Sequence, residues 1–224
     1  MLKDISFDAA PGDITAIVGA NGAGKTTLMR ILSFVLMQDS GNISLDGVDP
    51  LSRPVRYRKR IGYLPEKCPV YEEMRVDEYL LYRLRLRGER NLRQRRRLNG
   101  ALELCELKDA AGSLIKTLSQ GYRKRVGLAD ALMQHPRLLL LDEPLAGLDQ
   151  MQRKRIGSVL TSFSAHASII LAGHEINEML EWCTRFIVLK HGELKTILRA
   201  AEYERAELKE RLDVNIASDD GGDA

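Results

Sequence analysis

Cysteine is scarce in this chain of 224 residues, and aromatic residues make up only 5% of it. Cys68, Cys105 and Cys183 are odd in number, form no C-x-x-C pair and have no accompanying ligand cluster. That excludes a disulfide framework and a cysteine zinc site. Interleaved aromatics of the kind that stack single-stranded bases are also missing, so no nucleic-acid partner is expected. No apolar run approaches the roughly 18 residues of a membrane helix, and the N-terminus lacks the apolar core of a secretory signal. The expectation is a cytosolic, globular chain of one large domain or two small ones, consistent with 44% hydrophobic and 29% charged residues.

The net charge of +3 conceals two opposed regions. Between Arg75 and Arg97 nine arginines stand against Asp77, Glu78 and Glu89, and from Glu202 to Ala224 eight acids stand against Arg205, Lys209 and Arg211. A basic stretch is compatible with nucleic acid or anionic lipid. Here, however, Val76, Leu80 and Leu84 form a helical apolar stripe, and the charges flank it rather than form a strip of their own. The reading preferred is a solvated helix surface.

Short apolar runs, at Ile14–Val18, Ile61–Leu64, Leu138–Leu141, Ile169–Ala172 and Phe186–Leu189, alternate with amphipathic segments. Such alternation marks an α/β domain with a mostly parallel central sheet. The rhythm breaks between Lys67 and Lys116, where Val76–Arg87 and Leu92–Leu107 read as helices separated near Gly88. The expected organisation is a discontinuous core of residues 1–66 and 117–200, an inserted helical subdomain of 67–116, and a charged C-terminal helix with a disordered tail over 201–224.

GANGAGKTT, residues 19–27, follows the first apolar run and fits G-x-x-x-x-G-K-[ST], with Gly19, Gly24, Lys25 and Thr26 in register. Glycines let the backbone curl so that N–H groups of Asn21, Gly22, Ala23 and their neighbours through Thr27 converge on an anion. The helix that follows adds the positive end of its dipole. Lys25 would reach the outer phosphates, and Thr26 would offer its hydroxyl to Mg²⁺. Further on, LLLLDEP, residues 138–144, ends an apolar strand in two carboxylates, and ligands gather at such carboxyl ends. Asp142 is expected to hold Mg²⁺ and Glu143 to polarise an attacking water.

LSQG, residues 118–121, precedes a helix for which Ser119 is a good N-cap. Joined to the phosphate loop and the two acids, it resembles the signature of the ATP-binding-cassette (ABC) family, and the match runs over roughly residues 1–197. The resemblance implies a P-loop NTPase fold of the ABC type: a mostly parallel sheet, a small antiparallel β part and an inserted helical subdomain. It also implies that Ser119, Gln120 and Gly121 of one subunit face the γ-phosphate held by another. LAGLDQ, residues 145–150, is similar to the loop in which Asp149 links the two sites across the dimer. LAGHE, residues 171–175, places His174 as the switch histidine that meets the γ-phosphate and water.

Two departures stand out. At IGYLPE, residues 61–66, the family usually has glutamine where this chain has Glu66, a further oxygen ligand for Mg²⁺. MLKDISF resembles the second strand of such domains, so the β part is expected to lack its first strand and the aromatic that stacks on adenine, with weakened nucleotide affinity. The function implied is that of an ATP-hydrolysing subunit that dimerises around Mg-ATP, as a homodimer or with a homologue. It would drive transport, with export hinted by Glu66 and YLPEKCPVYEEM, through a separate transmembrane permease on the cytoplasmic face of the membrane. Two rivals are a soluble ATPase of the same family acting on nucleic acid or the ribosome, and a regulatory cassette without turnover. The first carries long coiled coils or paired cassettes, and intact Lys25, Asp142, Glu143 and His174 argue against the second. Because Lys25 neutralises phosphate charge, Lys25→Ala should abolish stable ATP binding by calorimetry; unchanged affinity would remove the phosphate-loop reading.

Overall fold

The computed structural model describes residues 2–89 and 92–217. All five apolar runs become strands of one sheet: β1 (Ile14–Val18), β2 (Ile61–Leu64), β3 (Leu138–Asp142), β4 (Ser168–Ala172) and β5 (Arg185–Lys190). They are mutually parallel. Every residue of β1, β3 and β4 is buried, because helices cover both faces and leave no solvated side for polar residues to alternate onto. The pleat then divides each strand between two cores. Ala16, Leu139, Leu171 and Phe186 point to one face, and Ile17, Leu140, Ile170 and Ile187 to the other. Each such fully buried leucine, isoleucine or phenylalanine side chain contributes about 1.5–3 kcal/mol by leaving water.

A sixth strand, β6 (Glu193–Arg199), pairs antiparallel with β5. No apolar run announces ELKTILR, because it lies at an edge and its charged residues face water. Its hairpin is legible another way. His191 and Gly192 have φ of 48° and 83°, and a two-residue type I′ loop requires this pair of left-handed residues.

The strand order is β2-β3-β4-β1-β5-β6. Helix α1 (Lys25–Leu32) and the short α2 (Pro54–Arg58) connect β1 to β2 at the far edge. Three helices then lie between β2 and β3: α3 (Val76–Leu86), α4 (Leu92–Leu104) and α5 (Gln120–Leu132). Helix α6 (Gln150–Ser164) joins β3 to β4, α7 (Ile176–Met179) leads to β5, and α8 (Arg205–Ala217) follows β6. The strand order reverses between β1 and the β2-β3-β4 group, the kind of switch point beyond whose strand carboxyl ends α/β sheets place their ligands.

Two expectations are corrected. Residues 2–7 form no strand: Ile5, Phe7 and Ala9 alternate as a strand would and pack on the second core, but the segment forms no ladder. Its one backbone bond to the β5–β6 hairpin runs from Lys3 N–H to Gly192 C=O at 2.8 Å. Of the expected disordered stretch ASDDGGDA, Ala217 closes α8, and residues 218–224 lie outside the described residues.

The second correction concerns the arginines, which are not simply a solvated surface. Arg83 and Arg87 of α3 reach Asp130 of α5 at 2.8 Å and 3.0 Å, and Arg87 also donates to the Asp130 carbonyl at 2.8 Å. Asp130 is buried, with its side chain 8% exposed. Only two cations converging on it make that position tolerable for a carboxylate. Asp130→Ala should therefore lower unfolding stability by about 2–3 kcal/mol in urea titration, less than for a fully sealed pair because both guanidinium groups touch water. A loss within error of zero would mean the network contributes nothing to holding α3 on α5.

Candidate functional site

Strand β1 delivers the chain straight into the glycine loop. Gly19 and Gly24 sit where a side chain has no room: a Cβ on Gly19 would stand 2.2 Å from the Leu189 carbonyl oxygen, and one on Gly24 would stand 2.4 Å from the Leu2 side chain. Gly22 and Gly24 also have φ of 81° and 102°, in the left-handed region. The loop is thus wound over the end of β5, with Asn21 and Gly22 exposed and Ala23 buried. Gly24 is the N-cap of α1 and brings no side chain to satisfy the first-turn N–H groups, the arrangement that suits an anion.

Lys25, Thr26 and Thr27 form the first turn of that helix. Lys25 is buried, and its Nζ donates to the carbonyls of Gly19 at 2.8 Å and Ala20 at 3.0 Å. The ammonium therefore arches back over its own loop. Thr26 Oγ1 donates to Asp142 Oδ1 at 3.2 Å, joining residues 116 apart in sequence.

Asp142 ends β3 and is almost fully buried. Burial pushes its carboxyl above the usual range, while the Thr26 hydrogen bond and the charges of Arg30 and Lys25 pull it back. Tyr63, on the neighbouring β2, has its phenol raised by burial and by the Asp142 charge. Glu143 follows with φ of 49°, an uncommon backbone for a residue with a Cβ. It is fixed by its N–H donating to Ala172 C=O at 2.8 Å and by Lys124 Nζ donating to its own carbonyl. This turn aims the carboxylate at the end of β4. Burial and the neighbouring Glu175 raise its proton affinity, against the opposing charges of His174 and Lys25.

His174 lies two residues past β4, and its ring lies between two carboxylates. Nδ1 is 3.0 Å from Glu143 Oε2 and Nε2 is 3.5 Å from Glu175 Oε1. The side chain of His174 is 64% exposed while that of Glu175 is 6% exposed, so the imidazole stands at the mouth with acid beneath it. The first contact is a close approach rather than an aligned hydrogen bond, since Glu143 Oε2 has no hydrogen-bond partner. Glu143, His174 and Glu175 form a cluster with metal-ligand spacing, although an imidazole over two inner carboxylates suits proton handling better than Mg²⁺.

Thr26 and Asp142 fit Mg²⁺ better. Both donors are hard oxygens, they already lie within hydrogen-bond reach, and the burial of Asp142 gives its carboxylate little water to prefer. Glu66, exposed beyond the end of β2, acts on Asp142 through its charge and makes no hydrogen bond to it.

The remaining sequence candidates pack with one another at the starts of α5 and α6. Ser119 is the N-cap of α5, accepting from Tyr122 N–H at 3.4 Å, and both it and Gln120 are exposed. Gly121 is buried, and a Cβ there would lie 2.5 Å from the Gln152 side chain. A Cβ on Gly147 would meet Gln120 Nε2 at 2.5 Å. Asp149 caps α6 in a reciprocal box with Gln152, its Oδ1 accepting the Gln152 N–H at 2.8 Å. The signature turn and the 145–149 loop are therefore packed together within one chain, where Asp149 has a local capping role.

Sequence reasoning missed Lys124, Glu175 and Arg153. Lys124 is buried on α5, and desolvation lowers its proton affinity. Arg153 donates to Leu148 C=O at 2.9 Å and pairs with Glu178 at 2.6 Å, while its other end lies 3.9 Å from Glu175. Glu175 could have been found beside His174 in LAGHE. The other two carry no signal in one dimension, since a basic residue on an amphipathic helix reads as surface.

Comparison with known proteins places the chain in one family. Residues 2–146 match the family model described as ABC transporter. An uncharacterised ABC transporter ATP-binding protein of Bacillus subtilis, YxlF, is 31% identical over 96% of this chain and 70% of its own length. The lipopolysaccharide export system ATP-binding protein LptB of Escherichia coli is 31% identical over 87% of this chain and 82% of its own. Across curated relatives, the chain spans between 58% and 82% of their lengths. Among solved structures, cbiO1 of Clostridium perfringens, described as part of the ABC transporter complex cbiONQ, superposes with a TM-score of 0.82 at 27% identity, over 96% of this chain and 88% of that one. A phosphate loop, a strand-end acid pair and a histidine brought together on that fold identify the chain as a member of the ABC transporter family, an ATP-binding subunit with ATPase activity.

Proposed function

We propose that this ATPase works as half of a nucleotide-clamped dimer, driving a separate transmembrane permease from the cytoplasmic face of the membrane. The observation that carries the reading is the 3.0 Å approach of Glu143 to His174, on the same end of the sheet as Lys25 and Thr26. In this reading ATP lies along residues 19–27, with Lys25 turning from its own loop carbonyls to the outer phosphates. Thr26 and Asp142 would hold Mg²⁺, with Glu66 as a further oxygen donor, and the bound ion would supply positive charge to the phosphates. Glu143 takes a proton from the attacking water, a role favoured by its raised proton affinity. His174 orients that water and meets the γ-phosphate, while Glu175 limits how far the imidazole swings.

Ser119, Gln120 and Gly121 supply the opposing wall in the partner protomer. Exposure of Ser119 and Gln120 at the start of α5 supports this, since an anion carried by another chain can reach them. Asp149, at the cap of α6 and packed close to the signature turn, is suited to couple the two sites. Residues 67–116 form the permease-facing subdomain, supported by the exposed Tyr71, Tyr82 and Leu86 around α3. No described helix is long and apolar enough to cross a membrane, so a membrane path requires that partner. Export is the direction proposed, supported by Glu66 and by the likeness to a lipopolysaccharide export ATPase subunit.

Two measurements bear on this directly. Glu143→Gln should cut ATP turnover by about 10²–10⁴-fold, the range for loss of a general base, and accumulate an ATP-bound dimer in light scattering. Normal hydrolysis in that variant would contradict the assignment. Ser119→Arg, by contrast, should leave ATP affinity of the monomer intact and abolish dimerisation and turnover; loss of monomer binding would put the serine in its own chain's site.

A further inference from the structure

The ATP site does not use the whole basic run. Arg83 and Arg87 are committed to Asp130, but Arg93, Arg96 and Arg97 recur at helical spacing along α4 and line a separate cavity of about 790 Å³. Facing them are His135, just beyond α5, and His166, just beyond α6. Leu132, Met133 and Phe163, buried members of the core, supply an apolar floor. Nothing here belongs to the phosphate loop, the acid pair or His174. The cavity lies beyond the C-terminal end of α5, whose other end carries Ser119.

Charge in the cavity is one-sided. Among the described residues Glu103 is the only acid lining it, and that carboxylate pairs with Lys108 at 3.2 Å. Arg97 is paired with Glu89 at 3.1 Å, whereas Arg93 and Arg96 make no hydrogen bond or ion pair among the described residues. The convergence of positive charge is felt inside the cavity, since His135 has its proton affinity lowered by burial and then by Arg97, His166 and Arg96.

We propose that this cavity binds a soluble amphiphilic anion, a small molecule joining a phosphate to an apolar body. Its volume falls in the range of about 300–1,000 Å³ typical of small-ligand sites. Guanidinium groups match phosphate oxygens in their fork geometry, and two of the three have no competing partner among the described residues. The floor of leucine, methionine and phenylalanine gains by covering with apolar atoms. A recess walled by α4 on one side and the ends of α5 and α6 on the other accepts a dissolved molecule more readily than the flat face of a bilayer.

The test uses octyl phosphate, below its micelle concentration, titrated by calorimetry into the full chain saturated with Mg-ADP so that the phosphate loop is already filled. Saturable binding is expected, with octanol failing to compete. The double variant Arg93→Glu, Arg96→Glu should weaken it at least about tenfold, as expected for reversing charges that contact the ligand. Gly100→Phe should weaken it too, because a side chain there meets open space and would grow into the cavity. Mg-ADP affinity should stay unchanged in both variants, which keeps this outcome separate from the nucleotide reading. The proposal is overturned by absent or non-saturable binding, by equal affinity in either variant, or by octanol binding as tightly. It is also overturned by arginine-dependent sedimentation with phosphatidylglycerol vesicles in the absence of octyl phosphate binding.

Discussion

The position of β4 between β1 and β3, hydrogen-bonded to both, is the constraint on which the site depends. Ala172 is level with Ile17 on one side and Asp142 on the other. The phosphate loop, the acid pair and the histidine therefore leave the sheet at the same height on three adjacent strands. Their separation is set by the ladder, not by the loops. A rigid, fully buried ladder is what allows contacts such as Thr26 to Asp142 and His174 to Glu143 to form between distant segments.

That placement has an electrostatic consequence. Burial raises the proton affinity of both Asp142 and Glu143, and what opposes it comes from other segments: Thr26, Arg30 and Lys25 of α1 for Asp142, and His174 and Lys25 for Glu143. Lys124 holds the backbone of Glu143 from the helix that starts at Ser119, so α5 touches the acid pair as well as the signature turn. Arg153 similarly ties the 145–149 loop to the segment after His174. The groups proposed to carry catalysis and the surface proposed to meet a partner protomer are parts of one packed unit.

Arginine has several distinct roles in this chain. Arg125, buried on α5, donates to the carbonyls of Cys105 and Glu106 and lies 4.1 Å over the Tyr122 ring, closing the loop after α4. Arg83 and Arg87 neutralise Asp130, and Arg185 reaches the Asp8 carbonyl and Asp13. On the sequence these residues look alike. Only packing separates a guanidinium that satisfies buried oxygen from one left at a cavity rim.

Much of the architecture is legible in one dimension for a physical reason. Strands covered on both faces must be apolar throughout, so LLLLD and SIILA announce themselves, and a phosphate loop needs glycines at positions where a Cβ would strike backbone, as at Gly19. Local demands of this kind are written in consecutive residues. The edge strand ELKTILR, the non-strand course of residues 2–7, the burial of Lys124 and the pairing of Asp130 are not. Each depends on which distant surface arrives beside it, through a ladder partner gained or lost or a buried charge neutralised from another helix. The amino-acid order by itself determined the chemistry available and the strands that carry it. The tertiary structure alone decided which of those charges meet, because hydrogen bonds and ion pairs are set by distance in space and not by separation along the chain.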